Sequence, residues 1–360
     1  MFAYWSLFLI PAFFALIGKK RTVNNNGAYS ISMDPIWWMI FIFLVLIIGM
    51  REQVGGDWFT YIIEYNLFHG VRFSEMYSGA AAIMDDPLYN LINWVSFKYG
   101  WGIYGVNLIC ASIFSFGLIL FCRHLPRPML ALTASIPYLV IVVSMGYTRQ
   151  GLALGIAMLG LLALSRNKII LFVLIIFLAA TAHKSAILLF PIAGLAAAKN
   201  RIFVMFWMIL LAFAGYLIFV QESIDFLIYG YLEQEYTSEG TFIRLLMNFF
   251  PALLLILFRN SFNFPPLEKR IWPWFGGLSI FFMFLFYVSP SSTAVDRMAL
   301  YMLPLQLVVF SYLPDIFPGN KNLAIFFKYS AVAYYALVQF VWLNYANHAG
   351  EWVPYGNFLF

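Results

Sequence analysis

The stretch MLALTASIPYLVIVVSMGYTRQGLALGIAMLGLLALSRNKIILFVLIIFLAATAHKS, residues 129–185, decides the fold class of this chain. It contains three apolar runs, 129–147, 149–165 and 169–183, with ionisable side chains only at their borders and no acidic residue. Runs of this kind cross the hydrocarbon core of a bilayer, where the absence of water obliges the backbone to form its hydrogen bonds within a helix. The stretch therefore predicts consecutive transmembrane helices.

The rest of the chain has the same character, because 63% of its 360 residues are hydrophobic and only 10% are charged. Soluble domains carry about a quarter of charged residues. The sequence predicts an all-α, polytopic integral membrane protein with residues 1–360 in a single transmembrane domain. The twelve predicted spans are 2–18, 36–50, 101–121, 129–147, 149–165, 169–183, 185–198, 202–220, 243–258, 272–289, 298–313 and 325–346.

The distribution of lysine and arginine predicts the orientation of these spans. Basic residues follow every second span, and only three of the 16 acidic residues, Asp34, Glu268 and Asp315, fall in the same loops. Basic loops stay cytoplasmic, so both termini are expected outside, and the first span is expected to be retained rather than cleaved as a signal peptide. The net charge of +5 then reflects topology and not a surface that binds nucleic acid.

The positions of cysteine and histidine give no indication of a disulfide or a metal site. Cys110 and Cys122 lie within or at the end of predicted spans, and His69, His124 and His348 have no spacing typical of metal ligands. The sequence therefore predicts no disulfide, no metal site and no cofactor.

Two long loops are predicted on the outer side, at 51–100 and 221–242. The first contains two amphipathic stretches, expected to be interfacial helices. In 57–66, the residues Asp57, Tyr61 and Glu64 share one side at helical spacing, and in 86–99 Asp86 is the predicted N-cap. The second loop mixes acidic and aromatic residues, which suits carbohydrate binding but equally describes an ordinary interfacial loop.

Charged residues at the outer ends of the helices are the candidates for function, since an ionisable group at membrane depth is costly and usually lines a cavity. They are Arg51, Asp57, Arg149, His183, Lys184, Arg244, Asp296 and Arg297. The planar fork of arginine matches phosphate oxygens, so four arginines on one face favour an anionic ligand such as pyrophosphate. The plainer alternative for each is an interfacial anchor or a structural ion pair.

The ordered set of motifs resembles the EpsG-like group of bacterial Wzy-type polysaccharide polymerases over about residues 50 to 310. The matching pieces are Arg51 with Gly55-Gly56-Asp57 and Tyr61, then Asp86-Pro87-Leu88-Tyr89, Arg149-Gln150-Gly151-Leu152-Ala153, His183-Lys184-Ser185-Ala186, and Asp296-Arg297 with Tyr301.

The resemblance implies a glycosyltransferase in the bacterial inner membrane with its active site facing the periplasm. Its donor would be a growing glycan on undecaprenyl pyrophosphate and its acceptor a single repeat unit on the same lipid, extended at the non-reducing end. The reaction is expected to be inverting and metal-independent, and a co-polymerase that regulates chain length is a further partner implied by the family.

On this hypothesis the candidate residues take three roles. Arg51, Arg149, Arg244 and Arg297 bind the pyrophosphate, and His183 or Asp57 accepts the proton of the acceptor hydroxyl. The residues expected to position the substrate are Tyr61, Gln150, Lys184, Asp296 and Tyr301, the last on the same helical face as Arg297. Alternative functions are a flippase or transporter of lipid-linked sugars, an O-antigen ligase, and a membrane acyltransferase that uses His183.

Overall fold

The structure is a computed structural model, and it describes residues 1–22, 29–76, 86–197, 240–289, 291–317 and 319–359 together with residues 202, 206 and 209. The predicted span 202–220 and the predicted outer loop 221–242 lie almost wholly outside these described residues, and so does the part 77–85 of the loop 51–100.

The described chain is helical, as the apolar runs predict, with one two-stranded antiparallel pair. Its longer elements are α1 (Phe2–Ile17), α2 (Pro35–Gly49), β1 (Arg51–Glu52), α3 (Trp58–Asn66), α4 (Pro87–Lys98), α5 (Gly102–Arg123), α6 (Pro128–Ser135), α7 (Thr148–Ser165), α8 (Ile169–Ala182), α9 (Phe190–Ala197), α10 (Thr241–Leu257), α11 (Glu268–Val288), α12 (Ser292–Ala299), α13 (Pro304–Tyr312), α14 (Lys321–Tyr345) and β2 (Gly356–Asn357). The all-α prediction is confirmed, including the helices expected within 57–66 and 86–99.

Fewer described helices meet a strict criterion of length and hydropathy for crossing a membrane than the sequence predicts. Within the described ranges, four helices are long and apolar enough to cross a membrane, namely α5, α7, α11 and α14, and the bent pair 292–302 and 304–315 makes a fifth. The remaining apolar helices, such as α1, α2 and α8, have 10–17 residues. Twelve spans therefore stay a prediction.

Two predicted spans are broken at proline. The segment predicted at 129–147 forms α6 and then a π-helix from Ile136 to Ser144, with Pro137 at the change of helix type. The segment predicted at 298–313 bends by 43° next to Pro304. Proline lacks an amide hydrogen and its ring clashes with the carbonyl group one turn earlier in a helix, which is why each helix changes course at these positions.

Helices α5 and α7 cross closely through two glycines. A Cβ on Gly117 would collide with the Gly155 carbonyl, and a Cβ on Gly155 would lie 2.5 Å from Phe114 Cα. Small residues at such crossings allow helix backbones to approach each other in the membrane. This contact fixes α7, whose first turn carries Arg149, against α5.

Gly155→Val is expected to destabilise the protein by at least about 1–3 kcal/mol, because the clash is with backbone that cannot rotate away. The measurement is the thermal unfolding temperature in detergent. Gly277→Val on α11 is the matched control, since a Cβ there meets nothing within 4 Å. Equal unfolding temperatures for the two variants would show that the close crossing is not required.

One end of the helix bundle collects the residues that the sequence places in the cytoplasmic loops. Each of the three acidic residues predicted there has a partner from the same group of loops. The pairs are Asp34 with Arg123 at 3.2 Å, Glu268 with His124 at 2.7 Å, and Asp315 with Arg127 at 2.8 Å and with Lys20 at 3.0 Å. These contacts pair the acidic residues of that end with basic partners, and the candidate site lies at the other end.

Candidate functional site

The opposite end of the bundle, called the site end here, is built around the turn Gly55-Gly56-Asp57. Gly55 has φ +102° and donates its amide hydrogen to the Glu351 carbonyl at 2.8 Å. A Cβ on Gly55 would collide with the Met145 carbonyl, so glycine is required both for the backbone conformation and for the space. The turn places Asp57 at the start of α3, close to the first turn of α7.

The C-terminal segment supports this turn, which the sequence did not predict. Strand β2 pairs with β1 in the register Arg51 with Asn357. Trp352 donates from its indole Nε1 to the Ile141 carbonyl at 2.8 Å, and its ring fills the space beside Gly146. The last residues of the chain therefore hold the segment that leads into α7.

Arg51 belongs to this supporting framework. Its side chain is 1% exposed and donates to the Ile48 carbonyl at 2.7 Å, to the Val54 carbonyl at 3.3 Å and to Thr148 Oγ1 at 2.8 Å. The guanidinium also lies 5.7 Å from the Trp58 ring. Because its donors are engaged by protein atoms, Arg51 positions α7 instead of meeting a ligand, and its expected role in pyrophosphate binding is not carried forward.

Arg51→Met keeps the volume of the side chain and removes its donors. We expect the free energy of unfolding to fall by roughly 3 kcal/mol or more, because buried carbonyl groups lose their partners. Thermal unfolding in detergent measures the effect, with Arg297→Met as the control at an exposed arginine. An unchanged unfolding temperature for Arg51→Met would contradict the structural role.

Arg149 is the centre of a cluster that joins three helices. Its guanidinium contacts Asp86 at 3.3 Å and Glu64 at 3.4 Å, and lies 5.8 and 5.9 Å from the rings of Tyr61 and Tyr89. The side chain is still 28% exposed. Arg149 is therefore held in one orientation by acidic and aromatic neighbours, with part of its surface open at the site end.

The two acidic neighbours of Arg149 are Asp86, which the sequence predicts as an N-cap, and Glu64. Asp86 stands at the N-cap of α4 as expected but makes no side-chain capping bond, because its carboxylate turns to Arg149. Glu64, which was not a candidate, is half-buried, and burial raises the pKa of its carboxyl while Arg149 lowers it. Its position on the same side of α3 as Asp57 and Tyr61 is the sequence feature that could have identified Glu64 as a candidate.

Asp57 lies between cations in a partly buried position. Burial raises the pKa of its carboxyl above the ordinary value of 3.8, while the charges of Arg297 and Arg149 and a hydrogen bond from Tyr61 act in the opposite direction. A carboxylate whose pKa is raised in this way is a stronger base than an exposed aspartate.

Arg297 differs from the other three candidate arginines, Arg51, Arg149 and Arg244, because it is exposed. In the part of the chain that the structure describes, it forms no hydrogen bond or ion pair, yet its charge acts on both Asp57 and His183. An exposed arginine within electrostatic range of a carboxylate and an imidazole is suited to bind an anion.

His183 stands at the break between α8 and the 3-10 helix Lys184–Leu189. Its Nδ1 accepts a hydrogen bond from the Ser185 amide at 3.3 Å, so the neutral ring carries its proton on Nε2. Burial lowers the pKa of the imidazole below its ordinary value, and the positive charges of Arg149, Arg297 and Lys184 lower it further. His183 is therefore suited to donate a hydrogen bond from Nε2 and poorly suited to accept a proton.

Arg244 and Asp296 form a buried pair at the edge of the site. Arg244 donates from Nε to one carboxylate oxygen of Asp296 at 2.9 Å and lies 2.9 Å from the other through Nη2. Both side chains are at most 9% exposed. This two-point contact occupies the fork that a pyrophosphate would need, so a structural ion pair describes Arg244 better than a free anion ligand.

The other predicted positioning residues are mostly buried. Tyr301 is fully buried within the 3-10 helix Leu300–Met302 that continues α12, whereas Arg297 is exposed, and a shared role in positioning the substrate stays a prediction. Gln150 is 4% exposed, whereas Lys184 is half-buried. Tyr147, which was not predicted, lies within electrostatic range of Asp57, Arg297 and the Arg244 pair.

Among the described residues, no group of three or more histidine, cysteine, aspartate or glutamate side chains could hold a metal ion. Within the described ranges, the site end brings together exposed Arg297, which makes no ion pair there, Arg149 held by two carboxylates, the Asp57 carboxylate and the hydrogen-bond donor His183.

Comparison with known proteins gives one match. The model of the EpsG family matches residues 36–357. No curated protein matches, and no solved structure matches.

Proposed function

The chain belongs to the EpsG family, and from this premise we propose that it is a polysaccharide polymerase of the Wzy type. It transfers a growing glycan from undecaprenyl pyrophosphate to the non-reducing end of a lipid-linked repeat unit, at the periplasmic face of the bacterial inner membrane. The observation that carries the proposal is exposed Arg297, which makes no hydrogen bond or ion pair among the described residues and lies within electrostatic range of the Asp57 carboxylate.

In the proposed reaction, the acceptor hydroxyl gives its proton to Asp57 as its oxygen forms a bond to the anomeric carbon of the donor. The bond between that carbon and the pyrophosphate oxygen breaks, and both electrons leave with undecaprenyl pyrophosphate. Arg297, assisted by the open side of Arg149, stabilises the negative charge that develops on the leaving group. His183 donates from Nε2 to a ligand oxygen, and direct displacement inverts the anomeric centre.

The role of general base goes to Asp57 rather than His183 for a physical reason. An effective base has a pKa near the working pH, and burial moves the pKa of Asp57 upward, towards that range. His183 already uses Nδ1 as an acceptor. Tyr61 supports the base through its hydrogen bond to the carboxylate.

The test is an assay in proteoliposomes with purified protein and synthetic undecaprenyl-pyrophosphate repeat unit, without nucleotide. A ladder of glycan lengths on a gel supports polymerisation. Movement of the substrate across the membrane without a ladder would support a flippase instead. Transfer of a preformed glycan to a lipid A core without elongation of lipid-linked repeats would identify a ligase.

The rate of elongation is expected to fall as the pH drops through the raised pKa of Asp57, and to be constant above it, because only the ionised carboxylate accepts the proton. The acid limb of the pH profile should lie at higher pH than that of an exposed aspartate. In Tyr61→Phe it should move to still higher pH, because the hydrogen bond that lowers the Asp57 pKa is lost while the ring beside Arg149 remains. An acid limb that stays in place in Tyr61→Phe would argue against Asp57 as the base.

A further inference from the structure

A cavity of about 290 Å³ lies at the end of the bundle that the sequence predicts to be cytoplasmic, far from the site end in the sequence order of each helix. It opens between the last turn of α1, the first turn of α2 and the first turn of α6. Its charged lining consists of four basic side chains and one acidic side chain, namely Lys19, Arg21, Arg123, Arg127 and Asp34. The lining therefore carries an excess of three positive charges.

Two of these four cations are held by carboxylates, and one is open to a ligand. Arg123 contacts Asp34 at 3.2 Å, and Arg127 contacts Asp315 at 2.8 Å. Lys19 lines the cavity and is exposed, and in the described part of the chain its ammonium makes no hydrogen bond or ion pair. Lys19 can therefore bind an anion without first losing a partner.

Arg21 is a second cation that has no carboxylate partner among the described residues. Its Nη1 donates to the Arg123 carbonyl at 2.8 Å, and its Nη2 donates to the Ser30 carbonyl at 2.7 Å. Its backbone amide donates to the Pro126 carbonyl at 3.0 Å. These bonds fix the guanidinium at the wall of the cavity without neutralising its charge, and since a guanidinium has five N–H donors, further donors remain for a ligand oxygen.

Apolar side chains continue from this cavity along the outer face of α1. Phe14 lines the cavity and is 37% exposed. Ile10 and Ile17 are also exposed and lie four residues before and three residues after Phe14, which places all three side chains on one face of the helix. In a membrane this face contacts lipid. A ligand that spans both features has its anionic group at Lys19 and Arg21 and an apolar chain along α1, which is the polarity of an acidic phospholipid.

The volume of the cavity suits a headgroup rather than a whole lipid, because pockets for small molecules begin at about 300 Å³. Basic pockets between transmembrane helices on the cytoplasmic side are typical sites for acidic lipid headgroups. We propose that this cavity binds the phosphodiester of an anionic glycerophospholipid, such as phosphatidylglycerol, from the leaflet on that side of the membrane. Lys19 and Arg21 contact the phosphate, and an acyl chain lies along Ile10, Phe14 and Ile17. The bound lipid then joins the ends of α1, α2 and α6, whatever reaction takes place at the site end.

The experiment measures the equilibrium binding of fluorescent phosphatidylglycerol to the purified full chain in detergent, so it needs no turnover. Lys19→Glu reverses one charge of the cavity, and Arg21→Gln removes one charge while keeping a side-chain amide that can donate to a carbonyl. Lys168→Glu is the matched control, because it makes the same charge reversal at an exposed lysine of another predicted cytoplasmic loop that does not line the cavity. The competitors are phosphatidylcholine with the same acyl chains and inorganic phosphate.

Lys19→Glu is expected to bind phosphatidylglycerol at least about tenfold more weakly than Lys168→Glu, and Arg21→Gln at least about fivefold more weakly, as expected for the loss of single cations near a lipid phosphate. Both lysines are exposed, so neither reversal should unfold the protein. Equal affinities of Lys19→Glu and Lys168→Glu would overturn the proposal. Displacement of phosphatidylglycerol by an equal concentration of phosphatidylcholine would overturn it too, and displacement by an equal concentration of inorganic phosphate would assign the cavity to a soluble anion instead of a lipid.

Discussion

Replacing Arg297 by alanine is expected to lower the rate of glycan elongation by about 10²- to 10³-fold, the effect seen when one preorganised donor to a developing negative charge is removed. The reason is that Arg297 is exposed and makes no hydrogen bond or ion pair with another described residue, so its guanidinium is available to the leaving pyrophosphate. The measurement is the initial rate of ladder formation in proteoliposomes at saturating substrate.

Two further variants make this prediction specific. Arg72→Ala removes an exposed arginine from the predicted outer loop 51–100, where it is paired with Glu75, and should leave the rate unchanged. Arg297→Lys keeps the charge without the planar fork and should recover part of the rate. The stability of Arg297→Ala is expected to change by less than about 0.5 kcal/mol, because the residue is exposed. A rate within twofold of the wild type would remove Arg297 from the mechanism.

Asp57→Asn is expected to reduce elongation by about 10³-fold, since it removes the proton acceptor with almost no change of shape. The loss should appear in the maximal rate more than in the KM, because the carboxylate acts on the proton that moves in the transition state. The same proteoliposome assay, run over a range of substrate concentrations, separates the two quantities.

The matched variants for Asp57 are Glu75→Gln and His183→Gln. Glu75 is a partly exposed acid of the same loop that contacts Arg72, and its neutralisation should have no effect. His183→Gln keeps a hydrogen-bond donor and should lower the rate less than Asp57→Asn. The reverse order, with His183→Gln nearly inactive and Asp57→Asn active, would assign the base to the imidazole.

Variants at Arg149 and Arg244 are expected to change stability as well as activity. Arg149 holds Glu64 and Asp86, and Arg244 holds Asp296. Removing either one leaves buried carboxylates without their counter-ion, which is costly in a protein interior. A loss of activity in such variants is therefore interpretable only when thermal unfolding is measured beside it.

The sequence by itself determined the class of the protein and the position of most helices. Apolar runs with charges at their borders must form helices in lipid, because no water is present to hydrogen-bond the backbone, and the structure places helices at those runs throughout its described ranges. The side of α3 that carries Asp57 and Tyr61 also follows from local pattern.

Only the tertiary structure decided what each charged side chain does. In the sequence, Arg51, Arg149, Arg244 and Arg297 are equivalent arginines near predicted helix ends. In the fold, Arg51 meets Thr148, 97 positions away, Arg149 meets Asp86, 63 positions away, and Arg244 meets Asp296, 52 positions away. The free energy of a charge depends on its burial and on its partners, and these are set by helix packing, which leaves Arg297 exposed and, among the described residues, without an ion pair.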